Sequence, residues 1–155
     1  MEGVRLSYWD SVDQGVKNAL SNGRVGTPVF VRWTLLTAVG TELVDGYICL
    51  MAERVISWFG SGPERVYSLP TDRSGFLSVS VEFISGQTAL LTAGPSQGCP
   101  SVDFFMLGSE GAAYKRENQI GFDREDFESE ESNTSRVMRM LVKDSLSSGN
   151  PVCAV

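Results

Sequence analysis

Apolar and polar side chains alternate regularly along the stretch from Phe76 to Phe83, FLSVSVEF. One face carries Phe76, Ser78, Ser80 and Glu82, and the other carries Leu77, Val79, Val81 and Phe83. This period of two predicts a strand of an antiparallel sheet with one buried face and one solvated face. A turn at Ser85 and Gly86 leads into residues 87–93, QTALLTA, which we predict to be the hairpin partner of this strand.

Four further segments have the composition of strands. Residues 29–39, VFVRWTLLTAV, are rich in β-branched and aromatic side chains and predict a long strand. Residues 65–69 form a short run that ends at Pro70. Residues 101–108 and 112–117 flank the turn SEG and predict a second hairpin. The chain is therefore expected to contain about six strands.

Three segments have helical character. Residues 7–21 repeat apolar side chains at helical spacing, and the Asn-Gly pair that follows them supplies a left-handed stop. Residues 43–60, LVDGYICLMAERVISWFG, are apolar on most sides and predict a buried helix that the turn GSGP closes. Residues 134–148 predict a last helix, which Gly149 ends.

This order of elements predicts the fold class. Runs of strands joined by short turns, with helices segregated from them, indicate an α+β fold with an open, largely antiparallel but mixed sheet. We expect the helices to pack on one face of that sheet, which leaves the other face available for oligomerisation. At 155 residues the chain is expected to be a single domain over residues 1–155. The acidic stretch 123–133 is interpreted as a solvated linker before the last helix.

The amino-acid composition argues against several catalytic mechanisms and binding sites. The chain has no histidine, so nucleophile activation of the Ser-His-Asp or Cys-His type is excluded within it. Cys49, Cys99 and Cys153 are far apart and form no C-x-x-C pair, so neither a disulfide framework nor a metal site is expected. The phosphate-binding glycine motifs and the G-x-S-x-G nucleophile motif are also missing from the sequence.

Net charge and hydropathy limit the classes of partner and the cellular location that we expect. A formal net charge of -6 disfavours binding to nucleic acid or to an anionic membrane. No apolar run reaches the roughly 18 residues that a membrane-spanning helix needs. The first ten residues lack the basic and apolar regions of a secretory signal, so a cytoplasmic location is expected.

Asp45 and Cys49 are the most prominent candidates for chemistry. They are four residues apart on a predicted helix, which places their side chains on one face. A thiol near a carboxylate is a candidate for proton transfer or ion binding. The apolar residues around them favour the alternative interpretation, in which Cys49 is a buried core residue.

Five aromatic side chains also allow two interpretations. They are Trp9, Trp33, Trp58, Phe104 and Phe105. Such rings could stack against a sugar or a nicotinamide, but at helical and strand spacings they belong more often to the core, which is the interpretation we favour.

Five short motifs follow one another along the chain. They are ALSNGRVGTPVFVRW (19–33), DGYICLMAERVISWFGSGPERVYSL (45–69), GFLSVSVEFISGQTALLTA (75–93), FFMLGSEGAAYKRE (104–117) and LVKDSLSSGNP (141–151). In this order they resemble the C-terminal domain of the glucose–fructose oxidoreductase and inositol dehydrogenase (Gfo/Idh/MocA) family. Asp45 matches the aspartate of the family's D-x-x-x-H helix, and Gly108, Glu110 and Gly111 match its G-T-E-G hairpin.

The resemblance implies an altered site. In the family the histidine of D-x-x-x-H acts in proton transfer at the substrate hydroxyl, whereas this sequence has Cys49 there and Ala52 in place of a further aspartate. The family's Rossmann domain and its E-K-P lysine are missing from the sequence, so no NAD(P) site is expected in this chain. The resemblance leaves Asp45, Cys49 and Arg32 as a vestigial pocket, with Lys115 and Arg116 as further candidates for substrate binding.

Three functions are compatible with these features. We predict a non-catalytic, stand-alone relative of the oxidoreductase domain that acts as an oligomerisation or partner- or ligand-binding module, assembling through the face of its sheet. One alternative is the substrate half of a split NAD(P)-dependent sugar or polyol dehydrogenase, whose Rossmann domain is a separate chain. The other alternative is a small-ligand, carbohydrate-binding protein.

Overall fold

The computed structural model describes residues 8–37, 44–70, 75–96, 100–117 and 132–154. Within these ranges the chain forms three helices and seven strands. In chain order they are α1 (Tyr8–Ser21), β1 (Pro28–Thr37), α2 (Val44–Phe59), β2 (Pro63–Pro70), β3 (Leu77–Phe83), β4 (Thr88–Pro95), β5 (Ser101–Gly108), β6 (Ala112–Glu117), α3 (Asn133–Ser148) and β7 (Val152–Cys153).

The described strands form one sheet in the order β6-β5-β1-β4-β3-β2-β7. Neighbouring strands are antiparallel except β1 and β4, which are parallel. Both predicted hairpins are present, because β3 pairs with β4 and β5 pairs with β6. The predicted α+β fold with a mixed, largely antiparallel sheet is therefore confirmed.

The seventh strand is an element that the sequence pattern did not predict. Val152 and Cys153 pair with Val66 and Arg65 at the outer edge of β2. A strand of two residues is too short to show a period of two, so the hydrophobic pattern carries no signal for it.

The predicted linker lies mostly outside the described residues. The description resumes at Ser132, whose hydroxyl oxygen accepts a hydrogen bond from the Ser135 backbone N–H at 3.0 Å and caps α3. The helix ends at Gly149, as predicted, with a left-handed φ of 71°. Among the described helices, none combines the length and the apolar character needed to cross a membrane.

The two faces of the sheet differ in what covers them. Val31, Trp33 and Leu35 of β1 point to the side of the helices and are fully buried. The other side is covered by none of the described helices, and we call it the open face. Strand register assigns to it Phe30, Arg32, Thr34, Leu36, Arg65, Tyr67, Leu69, Ser78, Ser80, Glu82, Thr88, Leu90, Thr92, Ser101, Asp103, Phe105, Leu107, Ala112, Tyr114 and Arg116.

Trp33 is the centre of an aromatic cluster beneath the helices. Its ring centroid lies 5.8 Å from Trp9 of α1, 5.5 Å from Trp58 of α2 and 5.6 Å from Phe104 of β5. Its indole N–H donates to the Tyr8 hydroxyl at 3.3 Å. All five of these side chains are buried, so they form the core that holds α1 and α2 on the sheet.

Two buried serines join α3 to β2. The Ser68 backbone N–H donates to the Ser145 hydroxyl at 2.8 Å, and the Ser68 hydroxyl donates to the Val142 carbonyl at 3.1 Å. The Ser145 hydroxyl in turn donates to the Asn150 carbonyl at 2.8 Å. Beyond Val66, β2 has no pairing with β7, so α3 supplies the partner that this edge of the sheet lacks.

A carboxylate joins α1 to α2. Asp13 accepts a hydrogen bond from the Trp58 indole N–H at 2.7 Å, and Lys17 lies 2.8 Å away. Arg54 of α2 approaches the same carboxylate at 4.0 Å. Burial raises the pKa of Asp13, but the hydrogen bonds from Lys17 and Trp58 and the charges of Lys17 and Arg54 outweigh burial. The pKa therefore lies below its ordinary value of 3.8.

The turn between β5 and β6 is pressed against the loop that precedes β1. The Ser109 N–H donates to the Thr27 carbonyl and the Glu110 N–H to the Val25 carbonyl, both at 2.9 Å. A Cβ added at Gly108 would overlap the Val25 carbonyl oxygen, so only glycine fits at this position. The glycine of the G-T-E-G-like motif thus has a packing role here.

We expect Ser145→Ala to lower the free energy of unfolding by about 1–3 kcal/mol, because the buried Ser68 N–H loses its partner and the Asn150 carbonyl loses one of its two donors. Urea unfolding measures the change. Ser147→Ala, on the exposed side of the same helix, is the matched control and should change the free energy by less than about 0.5 kcal/mol. Equal stability of the two variants would contradict a role for the serine pair.

We expect Asp13→Asn to lower the free energy of unfolding at neutral pH by about 1–2 kcal/mol, because charge-assisted hydrogen bonds are weakened. The pKa of Asp13 is lower in the folded chain than its ordinary value, so the carboxylate stabilises the fold fully above about pH 4. That stabilisation is lost as the pH falls through the lowered pKa.

The difference in stability between wild type and Asp13→Asn should therefore shrink in acid, as measured by urea unfolding from neutral pH down to about pH 3. The exposed Asp144→Asn on α3 is the control and should change neutral-pH stability little. A difference that stays constant into acid would mean that the carboxylate charge is not what joins the helices.

Candidate functional site

Asp45 lies in the first turn of α2, as predicted. Its carboxylate oxygen accepts a hydrogen bond from the Gly46 N–H at 3.0 Å. A negative charge at this position interacts favourably with the positive end of the helix dipole and with unsatisfied backbone N–H groups. This interaction with the start of the helix requires no substrate.

Cys49 follows one turn later on the same helix and has no exposed surface. Its neighbours Ile48, Met51 and Ala52 are equally buried against the sheet and the other helices. A thiol in this position is closed to substrates and reagents, which agrees with the core interpretation of this residue.

A buried phenol lies two positions before Cys49 on α2. Tyr47 is buried with the hydroxyl side chain of Thr37, at the end of β1. Burial raises the pKa of Tyr47 above its ordinary value of 10.0, and interaction with Thr37 partly opposes that change. At neutral pH the phenol therefore holds its proton and cannot act as a general base.

Arg139 of α3 is a charged residue near this site that the motifs did not single out. Its guanidinium lies against the start of α2, where a Cβ built on Gly46 would be 3.6 Å from Arg139 Nη2. A Cβ at that distance would be in ordinary van der Waals contact, so the cation lies beside Gly46 without requiring glycine there. The sequence pattern gives no signal for this contact, because Gly46 and Arg139 belong to helices that are far apart in the chain.

Arg32 and Arg116 lie on the open face. The Arg32 guanidinium is 3.7 Å from the Asp103 carboxylate and stands over the Phe105 ring at 5.9 Å. Arg116 occupies the position of β6 directly opposite Asp103 in the strand register. The two arginines therefore share one acidic neighbour on a surface that faces away from α2.

Lys115 points to the helix side of the sheet, since it alternates with Arg116 along β6. There it lines a cleft between β6 and α1. The predicted residues are thus divided among three places: Asp45 and Cys49 on α2, Arg32 and Arg116 on the open face, and Lys115 beside α1. Within the described residues the fold does not bring Arg32 and Cys49 into one pocket, because they lie on opposite sides of the sheet.

No metal centre emerges from the described part of the chain. Among these residues, no group of three His, Cys, Asp or Glu side chains is arranged to hold a metal ion. Cys49 and Cys153 are thiols, the first buried and the second exposed.

No protein-family model matches the sequence, and neither does any curated protein. Solved structures do match the fold. A myo-inositol dehydrogenase from Lactobacillus casei, in complex with NAD(H) and myo-inositol, aligns with 95% of this chain at a TM-score of 0.74 and 10% identity. A putative myo-inositol dehydrogenase from Sinorhizobium meliloti aligns with 92% at 0.71 and 12% identity. A probable dehydrogenase from Thermotoga maritima aligns with 94% at 0.69 and 12% identity.

This chain spans about three fifths of the length of each of these dehydrogenases, with 60%, 62% and 62% of their residues aligned. Sequence identities of 10–12% establish a shared fold, and they do not transfer the activity of these dehydrogenases to this chain. The resemblance that the five motifs predicted is confirmed at that level. The chain has the fold of the C-terminal domain of the glucose–fructose oxidoreductase and inositol dehydrogenase (Gfo/Idh/MocA) family.

Proposed function

We propose that this chain is a non-catalytic association module that pairs with a second copy of itself through the open face. The observation that carries the proposal is the open face, a broad sheet surface that none of the described helices covers. Three properties of that face support it: its apolar side chains, its charge balance and its size.

Apolar side chains lie on several neighbouring strands of the open face. Leu107 of β5 and Tyr114 of β6 are 41% and 59% exposed, and Leu69 of β2 is 38% exposed. Phe30 of β1 and Leu90 of β4 continue this surface from β5 and are only partly buried. The polar residues of β3, Ser78, Ser80 and Glu82, separate it from Leu69. Exposed apolar surface that extends over neighbouring strands is typical of interaction sites, since pairing removes it from water.

The charges of the open face nearly cancel. Three cations lie on it with two anions: Arg32, Arg65 and Arg116 against Glu82 and Asp103. Arg65 is bound to Glu82 by two hydrogen bonds, of 3.0 and 2.6 Å. A self-complementary interface places the same residues on both sides, so a strongly charged face would repel its copy. The chain as a whole carries -6, and the open face does not share that excess.

The open face is comparable in size with a standard protein–protein interface. Its six longer strands, about 4.8 Å apart and about 20 Å long, present a projected area of roughly 600 Å². The accessible area is larger because side chains project from the sheet. A standard protein–protein interface buries roughly 800 Å² per partner, which is of the same order.

The buried α2 site supports the non-catalytic part of the proposal. Proton transfer needs a group that reaches the substrate with a suitable pKa. Cys49 is fully buried, and burial raises the pKa of the nearby Tyr47 phenol. The α2 region therefore acts as the packed support of the sheet rather than as a reactive site.

We expect Leu90→Lys to convert the paired protein into a monomer, because it places a charge at the centre of the interface on both copies. The half-buried position lets the lysine ammonium reach water in the monomer, so the fold should be retained. Sedimentation velocity over a concentration series measures the assembly, and circular dichroism checks the fold. Met140→Lys, at an exposed apolar position of α3 on the other side of the molecule, is the matched control and should stay paired.

A wild-type chain that sediments as a monomer at every concentration would overturn the proposal. So would a pair that survives Leu90→Lys but is disrupted by Met140→Lys, since that result would place the interface on the helices.

We expect Cys49→His to lower the free energy of unfolding by about 1–3 kcal/mol, because a larger polar ring would enter a fully buried position. It should not produce hydride transfer, because the sequence lacks the phosphate-binding glycine motifs of a nucleotide site. Urea unfolding measures the stability, and absorbance of NADH with myo-inositol as substrate measures the activity. Cys153→His, at an exposed thiol, is the control and should change neither quantity. NADH formation by Cys49→His would show that this helix still belongs to a working site.

A further inference from the structure

A cleft lies between α1 and the β5–β6 hairpin, on the opposite side of the sheet from the open face. Its volume is about 260 Å³. Val12 and Val16 of α1 form one wall, and Val102 and Phe104 of β5 form another. The remaining lining comes from Ser11, Gly15, Ala19, Arg24, Ala113, Tyr114 and Lys115.

The cleft exists because α1 is held elsewhere. Trp9 packs on Trp33, and Asp13 binds Trp58, so the helix is fixed at the aromatic cluster and at α2. The side that faces β6 carries short side chains and cannot fill the gap to the strand. A Cβ added at Gly15 would meet no atom within 4 Å, which shows how open this side is.

Cations complete the lining. Arg24 and Lys115 both contribute to the cleft, and no carboxylate does so among the described residues. Arg24 makes no ion pair with an acidic side chain of the described chain. Its backbone is held in place, because the Arg24 N–H donates a hydrogen bond to the Asn22 side-chain oxygen at 2.9 Å. The positive charge is therefore attached to a fixed part of the loop.

We propose that this cleft binds a small monocarboxylate with a compact apolar body. The apolar body occupies the space between the valines of α1 and Phe104, where burial removes it from water. The carboxylate lies at the Arg24 guanidinium, which donates charge-assisted hydrogen bonds to it, with Lys115 adding positive charge.

The same lining disfavours a polyol. Each buried hydroxyl of a polyol needs a hydrogen-bond partner, and these walls consist mostly of valine, alanine and phenylalanine side chains. The proposed ligand class is therefore chemically different from an inositol or a sugar. The cleft is also distinct from the open face, because it lies on the other side of the sheet and shares only Tyr114, at the edge strand β6, with that face.

The test titrates the ¹⁵N-labelled full chain with cyclohexanecarboxylate, with its neutral analogue cyclohexanecarboxamide and with myo-inositol, and follows backbone amide shifts. We expect saturable shifts at Gly15, Ala113 and Lys115 with the carboxylate and none with myo-inositol. The amide should bind about three- to tenfold more weakly, because it lacks the charge that Arg24 recognises.

Two variants assign the site. Gly15→Leu fills the cleft from the helix and should abolish the shifts. Arg24→Gln should lower the affinity for cyclohexanecarboxylate to the affinity that wild type has for cyclohexanecarboxamide. Both positions are exposed, so the fold should persist, and circular dichroism checks this. Leu90→Lys should bind the carboxylate like wild type, whether or not the chain pairs.

Several results would overturn the proposal: no saturable shift, equal affinity for the carboxylate and the amide, unchanged binding in Gly15→Leu, or shifts confined to the open face. If one variant fails to fold, the other, together with the comparison of the carboxylate and the amide on the wild-type chain, still decides the outcome.

Discussion

Burial of the Trp33 indole joins the helices α1 and α2 to the sheet. Trp33 lies on β1, between β4 and β5, and its ring touches aromatic side chains of α1, α2 and β5. Close-packed interiors transmit any change in one side chain to its neighbours. The positions of α1 and α2 on the sheet, and with them the cleft beside α1, therefore depend on how this ring packs. The serine pair between α3 and β2 and the Asp13 carboxylate between α1 and α2 add hydrogen bonds of fixed direction to this packing.

The elements were predictable where their pattern is local. Residues 77–83 alternate in sequence and alternate in burial, because a strand with one covered face needs nothing else to define it. The parallel pairing of β1 with β4 was not predicted, since Val31 reaches Ala89 across two intervening strands and a helix. A local pattern identifies a strand but carries little information about which distant strand completes it.

The site was predictable in part. Asp45 and Cys49 do lie one turn apart on a helix, but the complete burial of Cys49 depends on packing against elements far away in sequence. The separation of Arg32 from that helix was present in the pattern, because its neighbour Trp33 belongs to the core and consecutive strand residues face opposite ways. The cleft had no such signal, since it is a gap between α1 and a hairpin almost a hundred residues later.

The position of β1 also sets the order in which the nascent chain can fold. A ribosome adds roughly 5–20 residues per second, and domains generally fold as units during synthesis. Both partners of β1 follow it by more than fifty residues, since Phe30 pairs with Thr88 and with Leu107. The meander of β2, β3 and β4 joins only neighbouring segments and can form first. Until β4 and β5 emerge, β1 has two unpaired edges and an apolar face, which makes it the segment of the unfinished protein that most needs protection from aggregation.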